Sequence, residues 1–152
     1  MYIYKRTDSE NIDFQNLISE LDKDLAIKNG ELNIFFSQYN KIDKIKHVMV
    51  AYDSEEIAVG CGAIKEYENG IIEIKRMFVR IDKRGNGIAG KILTELELWA
   101  KELGYKKCIL ETGDKMTAAI SLYKKNNFKI IPNYGQYANI ESSICFEKEI
   151  TS

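Results

Sequence analysis

Proline occurs once in the 152 residues, at Pro132, histidine once, at His47, and tryptophan once, at Trp99. With no proline-rich, glycine/serine-rich or single-charge tract, nothing reads as a linker or a low-complexity segment. Neither sign of charge dominates: 22 Lys and Arg against 23 Asp and Glu leave a net charge of −1. Such a chain has no global field to attract nucleic acid or an anionic membrane, so any anion site must be local. Cys61, Cys108 and Cys145 are odd in number, lie in apolar runs and show no C-x-x-C spacing. That argues against a disulfide framework or a zinc site and for reduced thiols in a cytoplasmic protein. The first residues, 1–6, lack the apolar core of a signal peptide, and no run approaches membrane-spanning length. What remains is a soluble chain, 45% hydrophobic, able to bury one core as a single domain over residues 1–152.

The pattern of what is present gives an order of elements. Tyr2 to Thr7 reads as a strand, and Phe14, Leu17, Ile18, Leu21 and Leu25 repeat at helical spacing up to Asn29-Gly30. Residues 31–46, with Phe35, Phe36 and Tyr39, suggest a short helix and loop. His47–Tyr52, Glu56–Tyr67 and Ile71–Arg80 form a predicted antiparallel meander with turns at Asp53-Ser54 and Asn69-Gly70, and Gly60 and Gly62 mark a candidate bulge. From Gly87, Ile88, Ile92, Leu96, Trp99 and Leu103 describe an amphipathic helix with a Glu97–Lys101 pair and a stop at Gly104. Lys106–Glu111 is a buried strand, Met116–Asn126 a helix, and Phe128–Ile131 and Ser142–Glu149 close the chain. The strand–helix–strand unit around Gly87 predicts a parallel crossover inside a mixed sheet.

The most informative stretch is Arg84-Gly85-Asn86-Gly87-Ile88-Ala89, between a strand ending near Val79 and the helix that starts at Gly87. Glycines let the main chain turn with its N–H groups inward, and the helix start adds unpaired donors and the positive end of a dipole. The chemistry suits a diphosphate. Gly85, Gly87 and Gly90 also satisfy G-x-G-x-x-G, with Glu111 where a dinucleotide fold would place its ribose ligand. Against that reading, Ile81-Asp82-Lys83-Arg84 separate strand from glycines, and too little chain follows Glu111 for the second half of a doubly wound sheet.

The same residues meet [Gln/Arg]-x-x-Gly-x-[Gly/Ala] through Arg84, Gly87 and Ala89. With Val59-Gly60-Cys61-Gly62-Ala63 and Glu73–Val79 before it and Leu122-Tyr123-x-x-x-x-Phe128 after it, the chain resembles the GNAT superfamily of acetyl-CoA-dependent N-acetyltransferases. The resemblance covers residues 47–150 well and the first third weakly. It implies an α/β (α+β) GNAT-like fold, a central mixed, mostly antiparallel sheet flanked by helices on both faces. It implies acetyl-CoA as co-substrate, an amine acceptor of a small molecule or peptide, direct transfer in a ternary complex and no metal; nucleic acid and membrane are not expected partners, and a homodimer is left open. The loop Arg84, Gly85, Asn86, Gly87, Ile88 and Ala89 would wrap the pyrophosphate, and backbone donors at Met77, Phe78 and Val79 would meet the pantetheine and the thioester carbonyl.

Acetyl transfer needs an acceptor without its extra proton and a proton for the departing thiolate. Glu73 is the expected base, directly or through a water, with a solvated pairing to Lys75 as the competing reading. Tyr123 is the expected acid, since a free phenol stays protonated at neutral pH, with burial of its ring in the core as the alternative. Met116 stands where many relatives carry asparagine and Asn127 where glycine is common. His47, opening a strand, is read as a surface residue. The acceptor pocket is expected from residues 25–46 and Pro132–Tyr137, which carry no motif. Two other classes remain: a non-catalytic acyl-CoA-binding module on the same fold, and the dinucleotide-binding fragment.

Overall fold

The computed structural model describes residues 1–29 and 44–150. Among these, seven strands and three α-helices follow in the order β1 (Ile3–Thr7), α1 (Ile12–Asn29), β2 (His47–Tyr52), β3 (Ala58–Glu68), β4 (Ile71–Val79), α2 (Ile88–Glu102), β5 (Lys107–Gly113), α3 (Thr117–Lys125), β6 (Lys129–Ile131) and β7 (Ser143–Glu149). One sheet runs β1-β2-β3-β4-β5-β7-β6. Every neighbouring pair is antiparallel except β4 and β5, which the α2 crossover joins in parallel. The short helix and loop expected over 31–46, with Phe35, Phe36 and Tyr39, lies mostly outside the described residues.

Strand alternation sends side chains to two separate cores. On one face Val48 and Val50 of β2 and Cys61 and Ala63 of β3 meet Phe14, Leu17, Ile18 and Leu21 of α1. Asn11 caps that helix, its side-chain oxygen accepting from the Phe14 N–H at 2.9 Å. On the other face Met49, Ala51 and Ile64 meet Ile88, Ile92, Leu93, Leu96 and Ala100 of α2, and Tyr123 of α3 joins this core. The helix α2 ends in a Schellman arrangement: Gly104 takes φ +94°, its N–H reaches the Lys101 carbonyl, and the Tyr105 N–H reaches that of Ala100.

Three expectations need correction. Glu97 pairs with Lys148 of β7 at 2.6 Å rather than with Lys101, because it lies on the helix flank that faces the sheet; the pair along α2 is Lys91–Glu95 at 3.2 Å. Leu103 is exposed at the helix end instead of packed. The strand β3 starts at Ala58, two residues later than expected, because the Asp53 carboxylate accepts from the N–H groups of Glu55 and Ile57 and holds Glu56 at φ +63° in the turn. A bulge occurs beside Gly60, where Val59 is the extra residue on β3 against Ala51 and Tyr52 of β2; beside Gly62 the register also slips, between Cys61 and Ala63, but there the extra residue is on β4 and Arg76 takes φ +60°. Gly62 stands in a crowded position there. A Cβ at that position would lie 2.7 Å from Met77 Sδ and 2.8 Å from a Leu96 methyl.

Candidate active site

The parallel pairing of β4 with β5 lasts three residues, Ile71 to Glu73 against Lys107 to Ile109. Beyond it the strands part, and the bulge at Arg76 belongs to the diverging arm. A pair of strands that separates leaves backbone donors and acceptors without a sheet neighbour on that side, which a ligand can use. Glu73 occupies the last paired position, at the vertex. Two clefts open along the gap. One, of about 310 Å³, runs past Phe78, Val79, Arg84, Gly87 and Ala89. The other, of about 100 Å³, is lined by Glu73, Lys75, Glu111 and Tyr137. Both include Leu21, Met77, Met116, Ala119 and Tyr123, so the two adjoin along these residues, Tyr123 among them.

At the far end of the larger cleft, Gly85 and Gly87 take φ of +85° and +76°, and Gly87 is the residue from which α2 starts. A Cβ built on either glycine has nothing within 4 Å, so backbone conformation, not crowding within the protein, demands glycine there. The first turn of α2 holds no acidic side chain and its cap makes no side-chain hydrogen bond, and Gly87, Ile88, Ala89 and Gly90 line the cleft, an arrangement suited to phosphate oxygens. Ile88 anchors the turn in the core, while the Asn86 amide donates to the Lys83 carbonyl at 2.9 Å. Arg84 is more of a brace than a free cation. Its Nε donates to the Val79 carbonyl at 2.8 Å, a terminal nitrogen lies 3.5 Å from Asp24 of α1, and the guanidinium packs over the Phe78 ring. Of the residues expected at the co-substrate, Met77, Phe78, Val79, Arg84, Gly85, Gly87, Ile88 and Ala89 all line this cleft, and Asn86 does not. Lys83, which the motif did not single out, lines it too.

At the other end, Glu73 is buried, so the solvated pairing with Lys75 is not what the structure has. Its Oε2 accepts from the Tyr134 hydroxyl at 2.6 Å, and Lys75 Nζ stands 3.9 Å from Oε1. The Tyr134 ring is fixed edge-on by Tyr67 and Tyr137, with centroids 5.2 and 5.7 Å away. Sequence reasoning missed the second carboxylate here. Glu111 accepts from the Ser143 hydroxyl at 2.7 Å, and burial pushes its carboxyl up to about 7, the Glu73 charge adding to this while Ser143 and Lys75 oppose it. The available signal was an acid inside the otherwise apolar run Cys108-Ile109-Leu110-Glu111; only the dinucleotide reading had given Glu111 a task.

Tyr123 is both a core ring and a cleft residue. Its ring packs against Phe128 and Phe146, and it still lines the cleft junction. Burial first, and the Glu111 charge second, push its phenol well above the ordinary value, so it holds its proton. Met116 lines both clefts at the start of α3, and Asn127 takes φ +70°, the left-handed position after that helix which glycine or asparagine fills. His47 lies in neither cleft; half-buried, it meets Trp99 edge-on at 5.0 Å. The three cysteines are buried free thiols. Among the described residues no group of three or more His, Cys, Asp or Glu could hold a metal ion, and no helix is long and apolar enough to cross a membrane.

Comparison with known proteins gives this geometry its context. A structure from Klebsiella pneumoniae assigned to the acyl-CoA N-acyltransferases matches with a TM-score of 0.83 over 99% of both chains at 26% identity. A GNAT family acetyltransferase from Elizabethkingia anophelis, solved with acetyl-CoA bound, matches in fold with a TM-score of 0.69 over 97% of both chains at 18% identity. An IAA acetyltransferase from Azospirillum brasilense is 34% identical over 136 residues, 88% of each chain. The family model for the GNAT acetyltransferase domain matches residues 44–130. The chain belongs to the GNAT family of acetyltransferases.

Proposed function

We propose that this chain moves an acetyl group from acetyl-CoA to a primary amine of a small molecule or peptide, by direct attack in a ternary complex. The observation that carries the reading is that two clefts adjoin with one phenol lining both: an anion-suited loop ends one cleft, a buried carboxylate ends the other, and Tyr123 is the phenol they share. Such a layout lets a thioester and an amine approach each other from opposite ends. The turn at Gly85 and Gly87 and the α2 N-terminus hold the pyrophosphate, with Arg84 bracing the loop and Lys83 adding charge. The β4 arm offers the backbone N–H groups of Met77, Phe78 and Val79 to the pantetheine amides and the thioester oxygen. Glu73 receives the amine and serves its deprotonation. Tyr123, protonated at neutral pH, supplies the proton for the thiolate that leaves.

The whole of residues 1–152 acts in this reading as one catalytic domain, in the cytoplasm, without nucleic acid or membrane as a partner and without a metal. A homodimer is compatible with it. The experiment is a panel of alkyl, arylalkyl and amino-acid amines and short peptides offered with acetyl-CoA, following free thiol and confirming acetylated product by mass. Acetylation of at least one amine, abolished by Gly87→Val, is the expected result. Tight CoA binding with no transfer to any of them would support the non-catalytic acyl-CoA-binding module instead.

A further inference from the structure

We infer that proton removal from the acceptor is divided between two carboxylates, with Tyr134 holding Glu73 as the fixed anion that receives the ammonium and Glu111 taking the proton. The inference rests on the transferase reading and names the machinery of its acceptor end. Register places the two together. Glu73 is directly opposite Ile109 in the parallel pair, and Glu111 is two residues further along β5. Side chains alternate along a strand, so Ile109 and Glu111 share a face with Glu73. Both carboxylates accordingly line the same small cleft.

Their surroundings differ in kind. The Tyr134 phenol, a stronger acid than any serine hydroxyl, donates to Glu73 at 2.6 Å, and Lys75 stands 3.9 Å from the other oxygen. A short bond from a good donor and a nearby cation hold this carboxylate in place. Glu111 has the Ser143 hydroxyl at 2.7 Å, which donates to the ion and rotates to accept from the acid, and so favours neither form strongly. Two carboxylates in one buried site do not both ionise freely, and the less supported one keeps a proton to higher pH. Burial and the Glu73 charge bring Glu111 to about 7, where a base is half available and its acid form is not too weak.

Among the described residues, the other ionisable groups around the pair do not compete for this proton. Tyr123 on α3, Tyr134 and Tyr137 on the segment after β6, and Cys145 on β7 are all pushed up by burial and stay protonated. Arg76, the other cation among the described residues that line this cleft, is directed to Asp22 of α1 at 3.6 Å. Among the described side chains of α1, Leu21 and Leu25 line the cleft. In the reaction an alkylammonium settles against Glu73 and gives one proton to the Glu111 carboxylate. The freed lone pair attacks the thioester carbon, the C–S bond breaks, and sulfur takes the Tyr123 proton. The second nitrogen proton restores the Tyr123 phenol as the amide forms, and Glu111 releases the first to water.

Two measurements test this. In the free protein carrying δ-¹³C glutamate, titration needs no acceptor: one resonance should have its midpoint near 7, vanish in Glu111→Gln, and persist in Glu73→Gln with its midpoint moved down. In Tyr134→Phe, which keeps the ring contacts with Tyr67 and Tyr137, that uppermost midpoint should move up, since the donor that holds the neighbouring Glu73 is gone. With the panel amine that has the highest kcat/KM, the acid limb of the profile should follow the same midpoint. Glu111→Gln should lower kcat by roughly 10² at pH 7, recovering as pH rises, Glu73→Gln should mainly raise KM for the amine, and Tyr134→Phe should shift the limb upward. The division is overturned if no glutamate titrates above pH 6, if the near-neutral resonance is lost in Glu73→Gln and kept in Glu111→Gln, or if the Tyr134→Phe profile overlays the parent's. A pair that titrates as described in a protein that acetylates no amine would instead sink the transferase reading.

Discussion

Replacing Glu111 by glutamine should stabilise the protein in alkaline solution while slowing its reaction. A carboxyl whose midpoint rises from the ordinary 4.5 to about 7 binds its proton more tightly folded than unfolded. The sign follows: the stability this group contributes is fully present below pH 4.5 and is lost as pH climbs through 7. At 1.36 kcal/mol for each tenfold change in proton affinity, the loss approaches ~3 kcal/mol above pH 8. The glutamine side chain of Glu111→Gln carries no proton to lose, still accepts from Ser143, and offers an amide donor toward Glu73. For a chain of this length each kcal/mol moves Tm by about 2–4 °C, so the variant should melt roughly 6–12 °C above the parent at pH 8.5. Below pH 4.5 the two curves should converge. Calorimetric melting of both proteins at half-unit steps from pH 4 to 9 reads the effect. A Tm gap of the same size at every pH, or a parent that melts higher at pH 8.5, would show that Glu111 is not a desolvated carboxylate and would remove the basis for its role.

Other outcomes follow from the same geometry. Gly87→Val forces a β-branched residue into φ +76° and adds bulk on the open side of the loop; CoA affinity should fall by roughly 10²-fold or more with the circular dichroism of the fold intact, and an unchanged calorimetric titration would reject the cradle. Tyr123→Phe should reduce kcat by roughly 10²-fold while leaving acetyl-CoA binding nearly unchanged, because only a hydroxyl at the cleft junction is lost; a normal rate would return the ring to the core. Gly62→Ala places a methyl 2.7 Å from Met77 Sδ and 2.9 Å from an Ile92 methyl. It should destabilise by about 1–3 kcal/mol, measured by urea unfolding.

Elements with a one-dimensional signature were legible in the sequence. Ile88, Ile92, Leu96 and the stop at Gly104 define α2 because a helix must repeat its buried face every 3.6 residues and must end where a left-handed residue is sterically tolerated. The glycine loop was legible for the same reason, since its backbone conformation restricts which residues can stand there. Register was not. Gly62 pointed to an irregularity, but the extra residue is Arg76 on the partner strand, and nothing in the sequence near Arg76 marks its positive φ. Pairings between distant elements were equally hidden: Glu97 had a helical neighbour at the right spacing in Lys101, yet the partner it reaches is Lys148, far along the chain on β7.

The acceptor end shows why catalytic assignment from a strand pattern falls short. Glu73 was visible as an acid alternating with isoleucines, but alternation says only which face a side chain takes, not whether that face is wet. What makes the residue chemically specific is the Tyr134 hydroxyl, 61 positions later in sequence, brought over the vertex by the turn after β6. Glu111 was hidden for the opposite reason. In an apolar strand an isolated acid looks like a mismatch, and its use becomes evident only when the parallel register sets it beside Glu73 and β7 delivers the Ser143 hydroxyl. A carboxylate buried among apolar side chains raises the free energy of its charged form; where two such groups share a cleft with unequal donors, that penalty falls on the less supported one. The division proposed for Glu73 and Glu111 therefore depends on long-range pairings rather than on either acid's own neighbours in sequence, and mutating the donors Tyr134 and Ser143 should tune the proton affinity of the pair without touching either carboxylate.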